Sequence, residues 1–420
     1  MCQMKKLLLI TYLTFLSSAC IAQSLQEVFN AGNKAYEANN YPDFLYQMQK
    51  ADSMRPNHPV ILRNLGAAYS LNLKKYEAVQ VLERVAYMNA NIDLDNPDFI
   101  NLQDLEPFEK LKNTIASLKN EVRNSTKAFT LDDKNLHPEG IEYYAKQNVF
   151  YVGSIRKKKI IKVDEKGNCK DFAQSKDYLA IMGLAIDNDK DLLWACTTAA
   201  PEMEGYTDTL EGNAEILCFD LKNEKLLDRY PVKGQKAWLG DLAISPTGEV
   251  YASSSLAEHP ALFKVNKEKG ITEEWLSLES LISLQGLTFN KSGELLYLAD
   301  YRHGIFSINM ENKQITKIQN STPHPLKGID GLYFYQQHLI AICNGLQPFQ
   351  VVQFTLGEEQ TISSFKYLDK ALPEMGEPTL GTFNKNKFFY VANSPWGAYD
   401  ENKNLLPDKV QKGIILKLTL

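Results

Sequence analysis

The chain has 420 residues and a formal net charge of −5, from 46 Lys and Arg against 51 Asp and Glu. That acidic balance excludes a nucleic-acid-binding surface. The length exceeds what one hydrophobic core usually organises, so two domains are expected. At the amino terminus, Lys5 and Lys6 precede the apolar run LLLITYLTFL and then SSACIAQ, the basic, apolar and small-residue order of a secretory signal over residues 1–22. The run is shorter than the roughly 20 residues of a membrane-spanning helix, and no later stretch approaches that length, so no membrane span is expected. The expectation is an exported protein, periplasmic or secreted. Cys20 would suit a lipoprotein, but Ser17 stands three positions before it, where a lipidation signal carries Leu.

Residues 24–122 have a helical texture with a 34-residue period. Gly32 and Gly66, Leu45 and Val79, Met48 and Leu82, and Ala51 and Val85 are each separated by that interval. It is the length of a tetratricopeptide repeat, a pair of antiparallel helices packed through small residues. The stretch FINLQDLEPFEKLKNTIASLK reads as a capping helix. Two repeats and a cap make a short array, which either binds a peptide or protein partner or packs as a support; the support role is the expectation.

Beyond residue 126 the period becomes two. A phrase recurs six times, beginning near Glu139, Gly183, Asp241, Gly286, Gly331 and Glu377 at intervals of 44, 58, 45, 45 and 46 residues. Each copy is an apolar strand, a turn such as SPTGE or NKSGE, and a second strand such as VFYVGS or LLYLAD. That interval is one four-stranded blade, so residues 126–420 are expected to form a six-bladed β-propeller after the helical domain. KAFTLDD, residues 127–133, would close the ring as the outermost strand of the last blade. Cys196 and Cys218 fall on neighbouring strands of the second blade, and buried free thiols are expected there rather than a disulfide.

Propeller geometry sends the residues before each first strand and after each second strand toward one mouth of the central channel. The first group is Glu139, Met182, Asp241, Gln285, Asp330 and Glu377. The second is Ser154, Thr197, Ser254, Asp300, Asn344 and Asn393. Four carboxylates and an amide in the first group are hard to explain by packing, because gathered carboxylates repel unless a cation or a proton intervenes. A hard divalent cation held by oxygen ligands from several blades, calcium above all, is the expected cofactor, with Glu139 and Asp330 as its first ligands.

HPEGIEY, followed later by QGLTFNKSGELLYLADY and GIDGLYFYQQHLIAICNG, resembles the gluconolactonase and senescence-marker-protein family of six-bladed propellers over most of residues 130–420. The resemblance implies a divalent metal on Glu139, Gln285 and Asp330, with Gln285 standing where that family has Asn. It also implies hydrolysis of a sugar lactone or similar small ester, with Asp330 and Glu139 catalytic. Asp241, Asn344, Glu377 and His303 are then candidate substrate contacts, and Trp396 and Tyr399 a candidate wall against a sugar ring. A non-catalytic propeller that binds a ligand or protein is the competing reading, because no nucleophile, base and orienting acid are visible together.

Overall fold

The computed structural model describes residues 23–420 except Ala257, so the expected signal segment lies outside the described residues. Among the described residues no helix is long and apolar enough to cross a membrane. The chain forms two compact units. One is built from the described residues up to Val81 with Asn96–Gln103, the other from Leu82–Asp95 with Asp104–Leu420.

The first unit contains helices α1 (Leu25–Glu37), α2 (Tyr41–Met54) and α3 (Pro59–Leu71), and the start of α4 (Lys75–Met88). Every boundary of the α1–α2 pair returns 34 residues later, Leu25 at Pro59 and Met54 at Met88, so the period in the sequence is a period in the backbone. The local causes are plain. Ser24 caps α1 in a reciprocal capping box with Glu27, and Asn40 caps α2. Met48 and Leu62 are fully buried, and Gly32 leaves room for Met48, whose Cε would stand 2.3 Å from an added Cβ. Tyr36 donates to Asp98 at 2.8 Å, and Arg63 lies 3.6 Å from the same carboxylate.

The second unit carries helix α5 (Glu106–Lys119) and six antiparallel sheets whose strands follow one another in sequence, a six-bladed propeller. The innermost strands are Pro138–Tyr144, Ala180–Asp187, Leu239–Ile244, Leu284–Phe289, Ile329–Tyr335 and Gly381–Asn384. In blade 5 an extra two-residue strand, Gln319–Asn320, adds a parallel edge. Closure is as the sequence predicts. Ser125–Thr130 pairs antiparallel with Ile414–Thr419 as the outer strand of blade 6, which leaves the ring without an open seam. The long 58-residue interval is a loop in blade 2 between strands Leu192–Thr198 and Ala214–Asp220, containing a short 3-10 turn at Asp208–Leu210. Cys196 and Cys218 are buried free thiols, opposite Ile216 and Trp194 rather than each other.

Aromatic and branched side chains fill the spaces between blades: Tyr143, Phe150 and Phe389 gather where blade 1 meets blade 6, and Tyr333, Phe383 and Phe388 where blade 5 meets blade 6. Glycines at the inner strands set how closely the blades approach. A Cβ on Gly286 would come within 2.4 Å of the Leu332 nitrogen and 2.5 Å of the Asp330 oxygen, both backbone atoms that cannot move aside.

Candidate functional site

The innermost strands do not begin as regular ladders. In blades 1, 2, 4 and 5 the pairing with the second strand skips two residues at the start: 139–140, 182–183, 285–286 and 330–331. Each skipped pair is a side chain followed by glycine. A bulge of this kind re-aims a side chain, and here it turns Glu139, Met182, Gln285 and Asp330 into one cavity of about 200 Å³ on the channel axis.

Blades 3 and 6 depart from the pattern, which corrects two of the six expected equivalences. In blade 3 the order is reversed, Gly240 before Asp241. Only Gly240 is skipped, and Asp241 pairs with Ser253. Asp241 therefore sits one residue deeper and lines both this cavity and a second one beyond it. Its Oδ1 occupies the space a side chain on Gly183 would need, 2.5 Å from an added Cβ. In blade 6 the residue before the glycine is Leu380, and Glu377 reaches the cavity from three residues upstream, in the approaching loop.

The residues after the second strands behave differently. Ser154 Oγ donates to the Leu136 carbonyl, Thr197 Oγ1 to the Glu215 carbonyl at 3.2 Å, and Ser254 Oγ accepts from Trp238 N at 3.0 Å. Asn393 accepts from Ile414 N and donates to the Lys412 carbonyl. Asp300, fully buried, accepts from the backbone N–H groups of Ile282, Ser283, Arg302 and His303. None of these five lines the axial cavity; they satisfy backbone groups of loops and strands instead. Asn344 is the exception, since it lines the cavity, donates to Asp330 Oδ2 at 2.6 Å and accepts from Tyr301 O–H at 2.9 Å. His303, expected at the rim as a substrate contact, is not part of the cavity: its ring stands 3.3 Å from Asp300 Oδ1. Tyr399 is likewise turned away, donor or acceptor to His137 Nδ1 at 2.8 Å.

Glu139, Asp241, Asp330 and Glu377 thus share one enclosure, and no Lys, Arg or His is among the described residues lining it. Burial raises the Glu139 carboxyl well above the usual range, and the charges of Asp330 and Glu377 raise it further. Hydrogen bonds from Trp396 Nε1 at 3.0 Å and Ser394 Oγ at 3.2 Å, both to Oε2, act in the opposite direction. Burial and the neighbouring Glu377 push Asp330 up, against the hydrogen bond from Asn344. Asp241 is pushed up to about 7, first by burial and then by Asp330, with the N–H of Leu242 opposing. Burial alone raises Glu377. Chemically, the enclosure wants positive charge or protons.

Whether these residues fit a metal can be tested on their donor set. Among the described residues no group of three or more His, Cys, Asp and Glu side chains is placed to hold an ion. An ion there would therefore draw on at most two of the four carboxylates at once, with neutral oxygens completing its shell. Glu139 and Asp330 with the Gln285 amide have that composition, and oxygen-only donors suit a hard cation. The Gln285 amide nitrogen faces Ser283 Oγ at 3.3 Å, which leaves the amide oxygen as the other end of the group.

Sequence reasoning missed Trp238, Tyr301 and Leu380 in the lining, because each approaches from a loop or blade whose register it could not read. It also missed Glu142, an inner-strand acid lining the second cavity. A charged residue inside HPEGIEY, two positions beyond the glycine, was the available signal.

No family model matches the chain, and no curated protein matches it. Solved structures similar to it include a gluconolactonase from Xanthomonas campestris, at 13% identity, covering 72% of this chain and all of that one with a TM-score of 0.47. A PQQ-bound aldose sugar dehydrogenase from Streptomyces coelicolor is similar at 12% identity, covering 70% of this chain and 97% of that one with a TM-score of 0.48. A catalytically inactive virginiamycin B lyase from Staphylococcus aureus, solved with quinupristin, is similar at 13% identity, covering 72% and 98% with a TM-score of 0.46.

Proposed function

We propose that the axial cavity takes a divalent cation on Glu139, Asp330 and Gln285, and hydrolyses a small polyhydroxylated lactone or similar ester there. The observation that carries this reading is four carboxylates from four blades lining one enclosure without a basic side chain among its described lining residues. When bound, the cation supplies Lewis acidity toward the substrate carbonyl. The protein's own part is positioning and proton transfer. Trp396 and Ser394 fix one oxygen of Glu139, and Asn344, itself held by Tyr301, fixes one oxygen of Asp330. A carboxyl held above its usual range is better matched to accepting a proton from attacking water near neutrality than an exposed one is. Asp241, Asn344 and Glu377 are placed to hydrogen-bond substrate hydroxyls, and Trp238, Trp396 and Tyr301 offer flat faces to a sugar ring.

A second reading is favoured by one observation, the absence of any His, Cys or Lys among the described lining residues. It keeps the cation and the sugar-like ligand but omits turnover. In both readings residues 1–22 serve as an export signal, which N-terminal sequencing of protein recovered outside the cytoplasm tests. The helical repeats are a support in both, with a peptide or protein partner as the alternative use.

The decisive experiment is a melting-temperature titration of the purified protein with calcium, manganese and zinc, followed by a panel of lactones and phosphoesters. A cation that binds only the folded state raises the melting temperature. The expected result is a rise that Glu139→Gln and Asp330→Asn each abolish, together with metal-dependent lactone hydrolysis. A rise without hydrolysis selects the second reading, and no rise with any of the three metals overturns both.

A further inference from the structure

On the face that carries the acid mouth, a side pocket of about 410 Å³ lies beside the axial cavity, and Glu377 lines both. Topology puts it there. Its lining comes from the segments that precede the strands Gln350–Leu356, Gly381–Asn384 and Ile414–Thr419 and from the one that follows Lys387–Val391, all at the acid-mouth ends of blades 5 and 6. The segment after Lys387–Val391 stands between the two spaces, with Trp396 lining the axis and Pro395 and Gly397 lining the side pocket. The axial cavity alone, about 200 Å³, is smaller than the roughly 300–1,000 Å³ typical of small-molecule sites, and its neighbour brings the pair within that range.

Three polar side chains of this pocket have no protein partner. Glu377, at the junction, accepts no hydrogen bond and pairs with no cation among the described residues, and burial is what raises its carboxyl. Lys409 and Gln411 are exposed at the rim, and neither side chain has a hydrogen-bond or ion-pair partner among the described residues. The other polar groups of the lining are committed. Both oxygens of Glu374 accept from Arg123, at 3.1 and 2.7 Å, Asn393 serves the backbone of Lys412 and Ile414, and Ser394 donates to Glu139. Pro373 is exposed, and Phe349 and Pro395 are half-buried, so each keeps apolar surface that a ligand can cover.

Uncommitted hydrogen-bonding groups beside flat apolar faces suit a hydroxylated ring, whose C–H face is apolar and whose edge is polar. We propose that the side pocket is a second sugar subsite, so that the ligand is a glycosylated sugar acid or its lactone rather than a single ring. The inference rests on the axial reading and extends it. The acid unit lies on the axis, the link passes Glu377, and the second ring lies against Phe349, Pro373 and Pro395 with its hydroxyls bonded by Lys409 and Gln411. Two modest contacts on one molecule reinforce each other, because holding the first ring concentrates the second at its own subsite.

Calorimetric titration of the full chain with gluconate, lactobionate and maltobionate, in calcium, manganese and zinc in turn, tests it. The expected result is that at least one of the two disaccharide acids binds about ten-fold more tightly than gluconate, near 1.4 kcal/mol. Gly397→Phe places a ring in the pocket, where an added Cβ meets no atom within 4 Å, and the preference should vanish. Lys409→Ala combined with Gln411→Ala, both exposed and neither carrying a fold contact, should lower the preference to about three-fold. If Gly397→Phe binds none of the three acids, the Lys409 and Gln411 pair decides alone. Gluconate binding with no preference for either disaccharide acid overturns the proposal and leaves the axial reading standing, as does a full preference in either variant. Binding of none of the three acids by the parent overturns both.

Discussion

Two rings of residues face the same end of this propeller, those that begin the first strands and those that end the second, and they have opposite fates. The strand-end residues other than Asn344 are absorbed by backbone groups, as with Asp300 and its four N–H donors. The strand-start acids have fewer donors and share an enclosure. A polar residue with several backbone partners is a structural device, and one with fewer partners than its charge requires is available for a ligand.

The largest effect that would break or sharpen this contrast comes from the strand-end ring. Asp300→Ala leaves four loop N–H groups without their acceptor and should cost about 3 kcal/mol of stability in urea denaturation. An unchanged midpoint would mean that the ring is not structural. In the strand-start ring the sign should reverse. A folded-state carboxyl titrating near 7, as Asp241 does, binds its proton more tightly than in the unfolded chain, where it titrates near 3.9. Stability from this group is therefore intact below about pH 4, falls as pH rises toward 7, and is level beyond. Asp241→Asn should remove roughly 2 kcal/mol of that fall, so that the variant outlasts the parent above pH 7 in chelator. Identical pH profiles would place Asp241 in an ordinary solvated environment. The smallest effect is expected at Trp396→Phe, which deletes one of the two donors to Glu139 while keeping the ring. Cation affinity should weaken about five-fold, near 1 kcal/mol, by calorimetric titration. Full affinity would show that Trp396 does not position Glu139.

Much of this arrangement is legible in the chain. The recurring glycines and the interval between them give the blade number, and the 34-residue interval in the sequence is the interval at which the helix boundaries repeat. Closure by the segment near residue 127 is legible because a ring leaves no other place for an isolated strand. The site is legible only in part. Glu139, Gln285 and Asp330 share a position because each precedes a glycine inside a bulge, which repeats in the sequence. Asp241 resembles them but follows its glycine, and in a strand one residue of offset changes which way a side chain points. The strand-end residues mislead for another reason: Ser, Thr, Asp and Asn serve loop backbone and ligands equally well, and only the partners distinguish the two uses. Nothing local announces that Trp396 would meet Glu139, 257 residues earlier.

That last contact lies on the join between the first blade and the last. Glu139 is held there by Ser394 and Trp396, Glu142 by Thr382, and the blade that supplies those partners is completed by Ser125–Thr130 lying against Ile414–Thr419. A chain emerging from the ribosome can stack five blades and still lack both anchored acids. The anchoring of Glu139 and Glu142 therefore arrives only when the two distant ends clasp, so an unclasped product would carry nearly all of the scaffold and neither acid held in place.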